Sequence, residues 1–116
     1  MADCFQVTTV LPSEAAAQQV AARLVDERLA ACAQVLGPVS STYRWKGSIE
    51  QAAEWYCNLK TTNARLPALT ARIRELHPHE VPEIIAIRIE DGDGAYLQWI
   101  AAEVEPFIRS QQPRGG

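Results

Sequence analysis

The stretch from Cys32 to Thr61 constrains this chain most, because it reads as two long extended arms folded back on each other. Cys32 to Trp45 is mostly extended and is interrupted at Gly37 and Pro38; Ser40 to Trp45 then resumes a run of Ser, Thr and aromatic residues suited to a pleated surface. Lys46-Gly47 is a two-residue turn in which glycine supplies the positive φ. Ile49 to Thr61 returns as a strand, with Trp55, Cys57 and Leu59 on one face and Glu54, Tyr56, Asn58 and Lys60 on the other. Proline inside a strand marks an edge or a bulge. So long a hairpin exceeds the usual strand length, and its free edges need to be paired or covered.

The flanking segments complete a pattern. Phe5 to Leu11 alternates as a strand, and Pro12 ends it. Ser13 is a suitable cap for a helix over Glu14 to Arg28, with Ala17, Val20, Ala21, Leu24 and Val25 at helical spacing. A second helix runs from Arg65 to Leu76, with Pro67 in its first turn and Pro78 beyond its end. Glu83 to Glu90 is an isoleucine-rich strand, Asp91-Gly92-Asp93-Gly94 is a turn, and Ala95 to Ile108 is a third helix with a stripe of Leu97, Ile100, Ala101, Val104 and Ile108. The order β-α-β-β-α-β plus one helix predicts an α+β, ferredoxin-like fold. Its four-stranded antiparallel sheet carries helices on one face and leaves the other face to be covered. Residues 1–110 are expected to form a single domain and 111–116 a polar tail.

Composition narrows the class. A chain of 116 residues is one domain. The net charge of −3 and the lack of a basic run argue against a nucleic-acid binder. Arg72 and Arg74, the densest cationic stretch, read with Glu75 as a solvated helix face. The cysteines Cys4, Cys32 and Cys57 are odd in number and lack C-x-x-C spacing, so neither a disulfide framework nor a zinc ribbon is expected. Each reads as a small buried hydrophobe in a reducing, cytoplasmic compartment. No secretory leader and no membrane span are expected. Phosphate-loop and nucleophile-elbow motifs are missing, so the chain is read as a binder rather than an enzyme, with no organic cofactor indicated.

Aromatic residues outside the predicted core point to association. Trp99 lies nearly opposite the apolar stripe of its helix, and Trp45 stands at the hairpin tip. Tyr43, Trp45 and Trp99 are therefore candidates for a subunit interface.

Five segments stand in order along the chain: Glu27-Arg28-Leu29-Ala30-Ala31-Cys32, Ser41-Thr42-Tyr43-Arg44-Trp45-Lys46-Gly47, Lys60-Thr61, His77-Pro78-His79-Glu80-Val81-Pro82-Glu83-Ile84 and Tyr96-Leu97-Gln98-Trp99-Ile100. Together they resemble the CutA family, the divalent-cation tolerance proteins. The resemblance covers roughly Phe5 to Val104. It implies a ferredoxin-like homotrimer with hairpins pairing between subunits, in the cytoplasm, associated with copper and other divalent cations. The chain departs from the family pattern at His79, where tyrosine is usual, at Arg44, where an aromatic is common, and at Gly37-Pro38, which reverses a frequent Pro-Gly.

His77 and His79 are the only histidines. At i and i+2 of an extended segment both imidazoles point the same way, so both can approach one Cu(II) or other divalent ion, with Glu80 adding an oxygen. The competing reading places His77 against the negative end of the second helix and lets His79 pack in a tyrosine's place. A thiolate from Cys4, Cys32 or Cys57 would favour Cu(I). Lys60, Glu80 and Glu83 are candidates for a ligand cleft between subunits, or for an ion-pair network that fixes the loop. Two alternatives to a metal protein stand beside these: a small-molecule sensor resembling the PII signalling trimers, and a trimeric scaffold for partner proteins.

Overall fold

The computed structural model describes residues 2–106. The chain runs β1 (Cys4–Leu11), α1 (Glu14–Asp26), β2 (Cys32–Trp45), β3 (Ser48–Thr62), α2 (Leu66–Leu76), β4 (Ile84–Arg88) and α3 (Gly94–Val104). The sheet has four antiparallel strands in the order β2-β3-β1-β4, as the ferredoxin-like reading requires. Helix α3 stops at Val104, short of the expected Ile108, with Pro106 just beyond its end; residues 107–116, which include the polar tail, fall outside the described residues.

Local chemistry explains the boundaries. The Ser13 hydroxyl accepts from the Ala16 amide at 3.1 Å and starts α1. That helix ends two residues earlier than its periodicity suggests. Arg28 takes φ 60°, and the Arg28 and Leu29 amides turn back to the Val25 and Leu24 carbonyls. This is the closing pattern usually built on glycine. Asp93 caps α3 by accepting from the Tyr96 amide at 3.0 Å. At the hairpin tip Lys46 and Gly47 have φ 48° and 83°, both positive as a tight two-residue hairpin turn needs.

The core lies between one sheet face and the pair α1 and α2. Val7 and Leu11 of β1 and Cys57 and Leu59 of β3 meet Ala17, Val20, Leu24, Leu69 and Ile73. Fully burying each large aliphatic side chain there contributes roughly 1.5–3 kcal/mol. The third helix departs from the one-faced arrangement. Cys4 projects from the opposite face of β1 and donates to the Leu97 carbonyl at 3.7 Å, and the Cys32 sulfur is 3.5 Å from the Tyr96 hydroxyl. Helix α3 therefore covers one end of the second face, with Ile100 and Val104 buried beneath it. The rest of that face stays open, with Leu36, Ile85 and Ile87 exposed.

A bulge decides which way the hairpin looks. Leu36 sits opposite Tyr56, yet Val39 sits opposite Glu54, so β2 carries one extra residue at Gly37-Pro38. Strand side chains alternate, so that residue exchanges the faces of everything beyond it. Tyr43 and Trp45 consequently share a face with Glu54 and Tyr56, and through the β1–β3 register with Val10. Only glycine fits position 37, since a Cβ would lie 2.5 Å from Trp55 Cδ1 and 3.0 Å from the Glu54 carbonyl oxygen.

Candidate ligand cleft

The loop from His77 to Glu83 leaves the end of α2 and enters β4 at Ile84, opposite Thr9 near the end of β1. His77 anchors it. The ring is buried, its Nε2 lies 2.6 Å from the Val10 carbonyl oxygen, and its Nδ1 accepts from the His79 amide at 3.0 Å. The two bonds select one tautomer, with the proton on Nε2 donated to Val10. Burial pushes the His77 pKa below its ordinary value, and the backbone bond to Val10 opposes this only partly. With both nitrogens engaged, His77 offers no spare lone pair in this arrangement.

Around that anchor a cleft of about 520 Å³ opens. Its walls are Val10, Tyr43, Trp45, Glu54, Pro78, His79, Glu80, Val81 and Glu83. The carboxylates of Glu54, Glu80 and Glu83 face no lysine or arginine in that lining. The His79 ring lies 4.9 Å from that of His77, centroid to centroid, and its nitrogens have no hydrogen-bond partner among the described residues. Trp45 is half exposed, with the Lys46 ammonium 5.8 Å from its ring centroid.

The cleft unites residues that the sequence suggested for separate roles. The metal candidates His79 and Glu80, the ligand candidates Glu80 and Glu83, and the interface candidates Tyr43 and Trp45 all line it, with His77 immediately behind. Lys60 does not join them within one chain. It pairs with Gln6, four residues and roughly 13 Å along β1 from Val10, and its ammonium donates to Gln34 at 3.1 Å. Trp99 is elsewhere too, stacked on Tyr96 of α3 at 5.6 Å.

The cysteines are free and lie away from the cleft. Burial raises the Cys57 pKa to about 11 and also raises that of Cys4, with a smaller push from the Asp3 carboxylate. The bond to Cys32 is the main cause holding the Tyr96 hydroxyl up at about 12.

Glu54 and Val10 were not singled out from the sequence. Counting strand alternation from the Lys46-Gly47 turn finds Glu54 on the Tyr43 and Trp45 face, because the turn fixes the register. Val10 carries no such signal. In donor chemistry, an imidazole and carboxylates suit a divalent cation between the hard and soft extremes. Within one chain the set is incomplete: among the described residues, no group of three or more His, Cys, Asp or Glu side chains converges to hold an ion.

A ferredoxin-like α+β domain with a projecting hairpin and an acidic, aromatic cleft between that hairpin and the loop before β4 defines the class of protein. The chain belongs to the CutA family: residues 5–103 match the family described as CutA1 divalent ion tolerance protein. Human Protein CutA is 42% identical over 94 residues, which are 81% of this chain and 52% of that protein. The chain thus spans about half the length of this curated relative. The crystal structure of CutA from Xylella fastidiosa superposes with a TM-score of 0.86 at 37% identity, covering 89% of this chain and 99% of that one. The structure of the periplasmic divalent cation tolerance protein CutA from Archaeoglobus fulgidus superposes with a TM-score of 0.85 at 32% identity, covering 88% and 99%.

Proposed function

We propose that the protein is a homotrimer that binds a divalent cation, copper foremost, as part of cation tolerance, and that it acts by binding rather than catalysis. The observation that carries this reading is that His79, Glu80, Glu83 and Glu54 line one cleft whose lining has no lysine or arginine. His79 and Glu80 are the leading ligands. His77 holds the loop in shape, and it joins the ion only by giving up its bond to Val10 or to His79. A neighbouring subunit would supply the remaining donors and could bring Lys60 towards Glu80 and Glu83. The exposed Tyr43, Trp45, Ile85 and Ile87, with Trp99 on α3, support the trimer as its contact surfaces.

No helix among the described residues is long and apolar enough to cross a membrane. Free cysteines favour a reducing compartment, so the proposal places the protein in the cytoplasm; a fractionation that found it in the periplasm, as for the archaeal relative, would move it. A small-molecule sensor is the second reading, favoured by a cleft volume inside the roughly 300–1,000 Å³ of organic ligand sites.

Calorimetric titration of the metal-free protein with Cu(II), alongside His79→Ala and His77→Ala, tests the metal reading. Saturation at a fixed ratio per chain is expected, with His79→Ala weaker by about tenfold, or about 1.4 kcal/mol. Binding that is unchanged in both variants takes the metal away from this cleft.

A further inference from the structure

The connection from β4 to α3 holds two Asp-Gly steps in succession, Asp91-Gly92 and Asp93-Gly94. At such a step the residue after the aspartate has no Cβ, so nothing hinders its backbone nitrogen from reaching the side-chain carboxyl. In sequence the two steps are alike. The fold treats them differently.

Asp93 is held on both sides. Its carboxylate accepts from the Tyr96 amide at 3.0 Å, its carbonyl accepts from the Leu97 amide at 3.0 Å, and Gly94 is already the first residue of α3. A helix cap of this kind fixes the side chain and the backbone that follows it. Asp91 has no such tie. It is exposed and lies in neither strand nor helix. Among the described residues its carboxylate has one partner, the Gly92 amide, which stands 2.8 Å from Oδ1. That amide makes no backbone bond among the described residues, so the nitrogen and the carboxyl that would react already face each other. The fold does not itself demand glycine at 92: its φ is not positive, and a Cβ there would meet the Leu97 methyls at 3.6 Å, an ordinary contact.

We propose that Asp91 is a site of spontaneous isoaspartate formation, selected over Asp93 by the fold. The Gly92 nitrogen gives up its proton and bonds to Asp91 Cγ, one carboxyl oxygen leaves as water, and a succinimide ring closes. Water then adds to either ring carbonyl. Addition at Cγ restores aspartate. Addition at the main-chain carbon breaks its bond to the Gly92 nitrogen, so the chain runs on through the former side chain and an α-carboxylate is set free. One water leaves and one enters, and no oxidant or cofactor is consumed. The product lengthens the connection by a methylene directly beside Leu97 of α3.

The test keeps the native full chain warm at neutral pH in heavy-oxygen water, with a urea-unfolded sample alongside. Both are digested in ordinary water, and tandem mass spectrometry reads where the label and the isoaspartyl linkage lie. Native protein is expected to carry both at Asp91 and severalfold less at Asp93, while the unfolded chain carries comparable amounts at the two. Gly92→Ala should slow labelling at Asp91 severalfold without lowering the melting temperature. Asp91→Glu, whose longer side chain would have to close a larger ring, should abolish labelling at that position and leaves the backbone residue types of the loop intact if the alanine variant folds poorly. No labelling of the native protein, equal labelling at Asp91 and Asp93, or a native ratio matching that of the unfolded chain overturns the proposal. Labelling that proceeds at full rate in a folded Gly92→Ala protein overturns it as well.

Discussion

Thr9 is fully buried on the helix-facing side of β1, and its hydroxyl has no partner among the described residues. An unmet buried hydroxyl costs about 1–3 kcal/mol, and valine has nearly the same shape. Thr9→Val is expected to raise unfolding stability in urea by roughly 1 kcal/mol; a drop would reveal a bond the hydroxyl makes in solution. Arg28 is a residue-scale compromise of another kind. Its left-handed backbone is strained for a residue with a Cβ, yet its guanidinium donates to the Glu103 carbonyl at 3.1 Å and ties the end of α3 to the end of α1. From sequence, Arg28 reads as one more helical residue, because nothing local reveals a partner 75 positions away. The bonds of His77 were hidden for the same reason: their meaning depends on Val10, which only the folded sheet brings near.

Helices α1 and α2 are joined by a forked contact. The Arg72 Nε and one terminal nitrogen reach the two Glu27 oxygens at 2.8 and 2.9 Å, and Arg23 reaches Glu27 at 2.7 Å. Hydrogen bonds from Arg72, then Arg23, hold the Glu27 carboxyl down at about 2 against an ordinary 4.5. A depressed carboxyl adds stability above its unfolded value, and that stability drains away as pH falls towards the folded one. Glu27→Gln should therefore be less stable at pH 7 and show a flatter decline between about 4.5 and about 2, followed by thermal melts across that window; parallel curves would show that the pair contributes nothing. Periodicity made both helices legible and also set Arg72 on a solvated face. That reading held for Arg74, but Arg72 turned out to span two helices, because surface charges pair according to helix packing and not according to their own element. Strand β4 is shorter than its isoleucines suggest, Ile84–Arg88, paired with Thr9 back to Phe5, and the Ile89 amide adds one last bond to the Cys4 carbonyl at 2.9 Å.

The whole molecule is elongated, 57 × 32 × 21 Å, with a radius of gyration of 15.9 Å where a compact domain of this length has about 13 Å. The projecting hairpin accounts for the excess, and it carries Tyr43, Trp45 and Ile49 into solvent. If association covers these residues, the melting temperature should rise over an about hundredfold increase in protein concentration, with a trimer mass by light scattering. A constant melting temperature and a monomer mass would end the trimer proposal. Element order, and the presence of a long hairpin, were readable from the sequence. The cleft was readable only in pieces, because it draws on β1, β3, the hairpin tip and the loop before β4. Its aromatic wall further depends on the extra residue at Gly37-Pro38. That dependence bears on how such a chain can change over generations. Substitutions along the arm alter the cleft one side chain at a time, whereas losing or gaining a single residue at that one spot would trade the arm's two surfaces at a stroke. The aromatics would then serve the opposite side of the sheet with their identities intact, so among relatives an insertion or deletion there is the change to examine first for a shift in what the protein binds.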